Sequence, residues 1–277
     1  MLKGPSFAGW LYDRPGDRLY GDADVWVAPE AVATAERVLS ELGFVERPQP
    51  FSAMAGGPWW HANPWVRDQP AAVVDLHHRF HGAIAAPEVV WTALSAHTEK
   101  LMVAGVEVTV LDEAARCLHA ATHAAQNSNR LSKPLDDLQR ALARAPMVAW
   151  EEAARLAAEV GAVEEMAVGL HLVREGSAMA ERLGLPTERP MSFLLREEPL
   201  PPTTGGIAWA AELSGGRERV RFALRKVFPG STFLRAWAPR LTARPGGWFL
   251  AAVGRPVWLV VHAPRAVVAW RRLRRSG

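Results

Sequence analysis

The sequence predicts an α+β fold: a small mixed β-sheet with flanking helices, followed by a helical domain. Three observations predict it. Two short segments, DADVWV (22–27) and AAVVDLHHRF (71–80), read as strands, the first by polar–apolar alternation and the second by an apolar run. Between them lies an amphipathic helical pattern, PEAVATAERVLSELGF (29–44). Beyond residue 110 four segments carry apolar residues at the 3.6-residue period of helices that bury one face.

In chain order, residues 5–13 read as a short helix, with Gly4 before it and Pro5 at the first position, where proline is favoured. The turn-rich RPGDRLYG (14–21) ends it, and the strand 22–27 follows. Pro29 opens the amphipathic helix and Gly43 stops it. Residues 48–70, dense in Pro, Gly, Trp and Asn, read as a loop, and 71–80 as the second strand. From about Pro87 the pattern turns helical, with helices expected at 111–126, 134–145, 149–160 and 163–184. EEPLPPTTGG (197–206) reads as a linker, and further helical pieces follow at 217–228 and toward Trp270. The apolar stretch 247–270 is broken by Arg255, Pro256, His262, Pro264 and Arg265, so no transmembrane segment is expected and a partly buried or interfacial helix pair is. The expected organisation is therefore three parts: a core over 1–110, a helical domain over 111–196, and a linker with a basic helical region over 197–277.

Composition narrows the setting. A single cysteine, Cys117, cannot close an internal disulfide, and no apolar signal segment follows Met1, so the cytoplasm is the expected location. The net charge of +3 conceals an asymmetry, because residues 217–277 hold fourteen Lys and Arg against one acid, Glu218. Such a block favours a polyanion: nucleic acid, a phosphorylated substrate or an anionic membrane face. Only four of the 32 basic residues are lysine, and Arg-rich, Ala-rich composition also raises surface arginine without any function.

The chemistry sits on the first strand. Residues two apart on a strand share a face, so Asp22 and Asp24 project together while Ala23, Val25 and Val27 point the other way. Paired carboxylates repel unless a cation lies between them, and hard oxygen ligands suit Mg²⁺, which takes one or two carboxylates and completes its shell with phosphates. Asp75 ends the second apolar run and becomes a third carboxylate if the two strands are neighbours. One or two ions held there would polarise a phosphoryl group. Lys3, Gly4 and Ser6, at the start of the first helix, and Arg18, on the turn before the strand, are the candidate phosphate contacts.

The order Leu2-Lys3-Gly4, helix, Arg18, Asp22-Ala23-Asp24, amphipathic helix ending Leu42-Gly43-Phe44, then Val74-Asp75-Leu76-His77 resembles the nucleotidyltransferase superfamily that includes DNA polymerase beta. It is most similar to the bacterial family of uncharacterised nucleotidyltransferases. Tyr12, Leu118-His119 through His123, Leu135-Asp136-Asp137-Leu138 and the arginine-rich tail extend the resemblance over most of the chain. The resemblance implies an NTP-binding catalytic core and transfer of a nucleoside monophosphate, from ATP or another NTP, to an acceptor hydroxyl or phosphate. It implies that Asp22 and Asp24 are metal ligands and that Asp75 is a ligand or the base. The acceptor is open: a small molecule, a peptide, a protein or RNA, with the basic tail favouring an anionic one. Where the superfamily usually has Gly-Ser, this chain has Gly4-Pro5, so a hydroxyl contact could come only from Ser6. The alternative is a nucleotide-binding or interaction protein that keeps the fold with impaired catalysis.

Other residues carry weaker signals. His77 reads as a contact behind the metal ligands or to a phosphate, and His77, His78 and His81 together match no strong zinc spacing. His119 and His123, four apart on one helix face, suit a structural or substrate-lining role better than a metal pair. Asp136 and Asp137 read as acids favoured in the first turn of a helix. Trp59 and Trp60 lie in a loop that could cover a nucleotide.

Overall fold

The computed structural model describes residues 1–47, 61–126, 132–187, 200–212 and 215–276. Among them, residues up to 187 form one compact unit and residues from 200 a second.

In the first unit, α1 (Pro5–Leu11) precedes β1 (Ala23–Trp26), and a single turn of 3₁₀ helix leads from Pro29 into α2 (Val32–Glu41). Gly43, at φ 80°, ends α2 in the left-handed region expected of a helix stop. Then come β2 (Val45–Glu46), β3 (Ala62–Asp68) and β4 (Ala71–His77), giving a mixed sheet of order β1-β4-β3-β2. β1 and β4 are parallel; the other pairs are antiparallel.

The strand β3 corrects the loop expected over 48–70. Its Pro64 disguises it, because proline donates no ladder hydrogen bond and is rare inside sheets. Here β2 pairs Val45 and Glu46 with Val66 and Trp65, and Pro64 sits at the end of that ladder, where it supplies only an acceptor, its carbonyl taking the Arg47 N–H at 2.8 Å. One face of the sheet packs on α2 through Phe44, Trp65 and Leu76, with Val27, Leu39 and Val74 alongside.

After α3 (Pro87–Ser95) the chain forms a second correction, a hairpin of β5 (Thr98–Val103) and β6 (Val106–Leu111), where helix was expected. Ala104 and Gly105 link its strands with φ of 50° and 81°, the doubly positive pair of a type I′ turn. The helices α4 (Glu113–Gln126), α5 (Ser132–Arg144), α6 (Met147–Val160), α7 (Val163–His171) and α8 (Arg174–Arg182) complete the unit. The single helix expected over 163–184 is two, because Val173 is extended between them. Phe7, Leu94, Leu111, Leu118, Trp150 and Leu170 belong to one hydrophobic core, which runs without a break through the 110/111 boundary.

α4 and α7 cross closely enough to require glycine. A methyl group added to Gly169 would meet the Ala121 carbonyl oxygen at 1.9 Å, and that oxygen is backbone, which cannot swing aside. Gly169→Ala should therefore destabilise the fold by about 2–3 kcal/mol, read as a lower denaturation midpoint. A wild-type midpoint would contradict this close crossing.

The second unit contains α9 (Thr204–Glu212), α10 (Gly216–Val227), α11 (Ser231–Trp237), α12 (Pro239–Thr242) and α13 (Gly247–Ser276). Thr204 starts a helix inside the expected linker, whose residues 197–199 lie outside the described residues. The expected helix pair near the C-terminus is one helix, α13, which runs through Pro256 and Pro264. Phe233, Leu234 and Ala251 form the small core of this unit. Among the described residues no helix is long and apolar enough to cross a membrane.

Candidate active site

The parallel pairing of β1 with β4 sets Asp24 beside Asp75 in register and Trp26 beside His77. Alternation then puts Asp24, Asp75 and His77 on the sheet face opposite α2. Trp26, on that same face, packs at 4.7 Å against Trp91 and 5.9 Å against Phe80, ring centre to ring centre. This anchors the strand that carries Asp24.

Asp24 is buried, and its Oδ1 receives two partners: Lys3 Nζ at 2.9 Å and His77 Nε2 at 3.0 Å. Burial alone would raise the Asp24 pKa, but the His77 hydrogen bond and the Lys3 charge outweigh it and hold the carboxyl well below the usual range. Asp75 shifts the other way. Burial raises its pKa, and the negative charges of Asp24 and Asp22 raise it further. Asp22 is exposed on the bend before β1. The three aspartates thus form one electrostatic group, and its strain falls on Asp75.

The first helix and its approach are tied to this group. Leu2 N–H donates to the Asp24 carbonyl, at 3.0 Å, and Gly4, at φ 64°, turns the chain into α1. A Cβ on Gly4 would lie 3.8 Å from the Asp22 carbonyl oxygen, so the Gly4 turn and the aspartate bend are neighbours. Ser6 is buried in the first turn of α1, and its hydroxyl has no hydrogen-bond partner among the described residues.

Arg18 is placed differently from expectation. Its guanidinium is buried and spent on Asp137: Nε donates to both carboxylate oxygens at 3.0 and 3.2 Å, and Nη2 to Oδ2 at 2.7 Å. Its remaining arm, Nη1, reaches the Gly4 carbonyl at 3.4 Å. The Tyr12 hydroxyl also donates to Asp137, at 3.0 Å. Arg18 and Asp137 therefore brace the Gly4 turn against α5, which leaves the guanidinium few donors for a phosphate. The helix-dipole reading of Asp137 is corrected on the same ground: α5 starts at Ser132, so Asp136 and Asp137 lie beyond its first turn.

Two residues not singled out from the sequence belong here. Lys133, exposed at the start of α5, has its pKa lowered by burial of its ammonium and by the neighbouring Arg18, while Asp137 and Asp22 pull it back up. Its signal was compositional: with Lys3 it makes two of the chain's four lysines at one site. His61 lies 5.2 Å from His77 and 5.0 Å from His81, ring centre to ring centre. Only its position at the entry to the unrecognised β3 could have flagged it.

The remaining candidates fall behind the site. His81 Nε2 is 3.3 Å from the buried Glu165. His119 and His123 are buried on α4, and burial drives both imidazoles well below their usual pKa. The His119 ring packs edge-on to Phe7 at 5.7 Å and against Phe80 at 5.0 Å, which is the packing role. Cys117 is a buried thiol whose pKa burial pushes up, so it is inert. Trp59 and Trp60 lie outside the described residues.

Among the described residues no three His, Cys, Asp or Glu side chains converge as a ready-made metal cage. The donor set nonetheless fits Mg²⁺ in the form in which it binds substrates, with two all-oxygen side chains in register, a third nearby, and the substrate's phosphates completing the shell. The mutual repulsion that raises the Asp75 pKa is what a bound divalent cation would relieve.

Residues 1–176, which include every residue of this site, match the model of a family described as uncharacterised nucleotidyltransferase. No curated protein matches the chain.

Proposed function

The chain belongs to the uncharacterised nucleotidyltransferase family, and on that footing we propose that it transfers a nucleoside monophosphate from an NTP to an acceptor hydroxyl or phosphate, with Mg²⁺. The observation that carries this reading is the in-register pair Asp24 and Asp75, with Asp22 close enough to act on the Asp75 carboxyl.

Asp24, Asp75 and Asp22 would hold one or two ions. Bound there, Mg²⁺ supplies positive charge that polarises the α-phosphoryl group and neutralises the leaving pyrophosphate. His77 is a positioning residue, fixing the Asp24 carboxylate through Oδ1. Asp75, in register with Asp24, is placed to be either a ligand beside it or the base that takes the acceptor's proton as the acceptor oxygen bonds to the α-phosphorus and the bond to pyrophosphate breaks. Lys3 and Lys133 are the cations for the triphosphate, while Arg18 holds the Gly4 turn in place. The acceptor is a small molecule, a peptide, a protein or an RNA end; fold and family do not choose among them.

A second reading, nucleotide binding without turnover, is favoured by the Lys3–Asp24 ion pair, which already neutralises one ligand. Release of pyrophosphate from each NTP, with and without Mg²⁺ and across acceptor classes, separates the two. Metal-dependent release supports the transferase; NTP binding with no release from any acceptor class supports the second reading. In either case Lys133→Ala should weaken NTP binding by about tenfold, the value of one charge-assisted hydrogen bond. Unchanged affinity would remove Lys133 from the site.

A further inference from the structure

The second unit is apolar where it should be wet. Its long helix α13 turns one face inward: Ala251 packs with Phe233 and Leu234, and the buried Arg255 lies 5.2, 5.1 and 4.6 Å from the rings of Phe233, Trp237 and Trp258. The opposite face is apolar as well. Leu250, Val253, Val257, Val260, Val261 and Val268 recur at spacings of three, four and seven, which places them on one helical stripe. All six are exposed, Val257 at 61%, Val260 at 72% and Val261 at 64%. A helix apolar on both faces needs something on each, and a continuous exposed stripe of this kind marks an interaction surface.

Helix α10 repeats the arrangement on its own. Val220, Leu224 and Phe228 are exposed along one side, and Arg217, Arg221 and Arg225 flank them at four-residue spacing in the same open groove. On α13 the apolar stripe runs into Arg271 and Arg275 at its C-terminal end, both exposed.

We propose that the second unit seats on an anionic lipid surface, with the exposed apolar side chains along α10 and α13 entering the headgroup boundary and the arginines meeting lipid phosphates. Charge complementarity selects this occupant. Residues 217–277 carry fourteen basic residues and one acid, so a second copy would bring like charge against like. Nucleic acid would answer the charge and could stack on the exposed Phe228, Trp248 and Phe249, but it gains nothing from the exposed leucines and valines that make up most of both stripes. A lipid surface takes both, in the manner of helices that lie in the interface without crossing it. The proposal is independent of the nucleotidyltransferase reading.

Co-sedimentation of the full chain with phosphatidylcholine vesicles, with and without phosphatidylglycerol, tests it. Binding should require phosphatidylglycerol and weaken at least about tenfold as salt is raised toward 1 M. It should fall by about tenfold or more in Val257→Asp/Val261→Asp and, separately, in Leu224→Asp/Phe228→Asp. These are surface positions on different helices, and an unchanged circular dichroism spectrum shows that each variant is folded. No binding, or equal binding to both vesicles, overturns the proposal. So does self-association that the Val257→Asp/Val261→Asp variant abolishes, or RNA binding with no vesicle binding.

Discussion

Asp75→Asn should cut Mg²⁺-dependent nucleotidyl transfer by about 10²–10⁴-fold, the usual worth of a positioned general base, and should at the same time stabilise the protein. The two effects share one cause. Asp75 has a higher pKa in the fold than in the unfolded chain, through burial and the charges of Asp24 and Asp22. Its ionisation therefore opposes folding at every pH above the folded value, and the cost vanishes only below the unfolded value. Asparagine keeps the shape and removes the charge, so the melting temperature at neutral pH should rise. Asp24 has the opposite sign: its depressed pKa gives stability that is present above the unfolded carboxylate pKa and lost as the pH falls through the folded one. Mg²⁺ should reproduce part of the Asp75→Asn stabilisation in the wild type and add little to the variant. Melting curves across pH and Mg²⁺ concentration check this. An Asp75→Asn protein with wild-type transfer would remove Asp75 from the chemistry.

Asp137→Ala should destabilise the first unit by about 3–5 kcal/mol, because it leaves the Arg18 guanidinium buried without a counter-charge. Arg18 and Asp137 side chains are 3% and 1% exposed, so solvent cannot stand in for the lost carboxylate. On a chain of this size the loss corresponds to a fall in melting temperature on the order of 10 °C. The double variant Arg18→Met/Asp137→Leu should recover most of it, since a buried ion pair replaced on both sides by apolar groups costs little. The same double variant is informative about function. It frees the Gly4 turn from its brace, so NTP affinity should drop even where stability returns. Full recovery of both would show that Arg18 neither positions that turn nor touches the nucleotide.

How much of this was readable in advance depends on which forces left a local trace. β1 and β4 announced themselves, because one face of each must be apolar to pack on α2, and Asp24 and Asp75 stood out against that background. Their adjacency did not come from either strand alone; order along the chain, shared with a family, suggested it. β3 was hidden by Pro64, which is tolerated because it lies at the end of the β2 ladder and contributes only its carbonyl acceptor there. The 98–111 hairpin did leave a trace, in the alternation of VEVTV and in Gly105, but the helical pattern on either side of it dominated the reading. The Arg18–Asp137 pair joins residues 119 positions apart, and no local spacing encodes such a partner. It turned an expected phosphate clamp into a brace. Lys133 left only the faint trace of lysine's rarity in the chain, since its place near the aspartates comes from where α5 starts.

On the reading proposed above, the three-aspartate group binds a nucleotide together with a metal. Calorimetric titration of each NTP into the wild-type protein and Asp75→Asn, with Mg²⁺ and with chelator, tests it most directly. At least one NTP should bind, with binding that requires Mg²⁺ and is weakened in the variant. Binding that is equal in chelator, or unchanged in Asp75→Asn, would place the nucleotide elsewhere and contradict that reading.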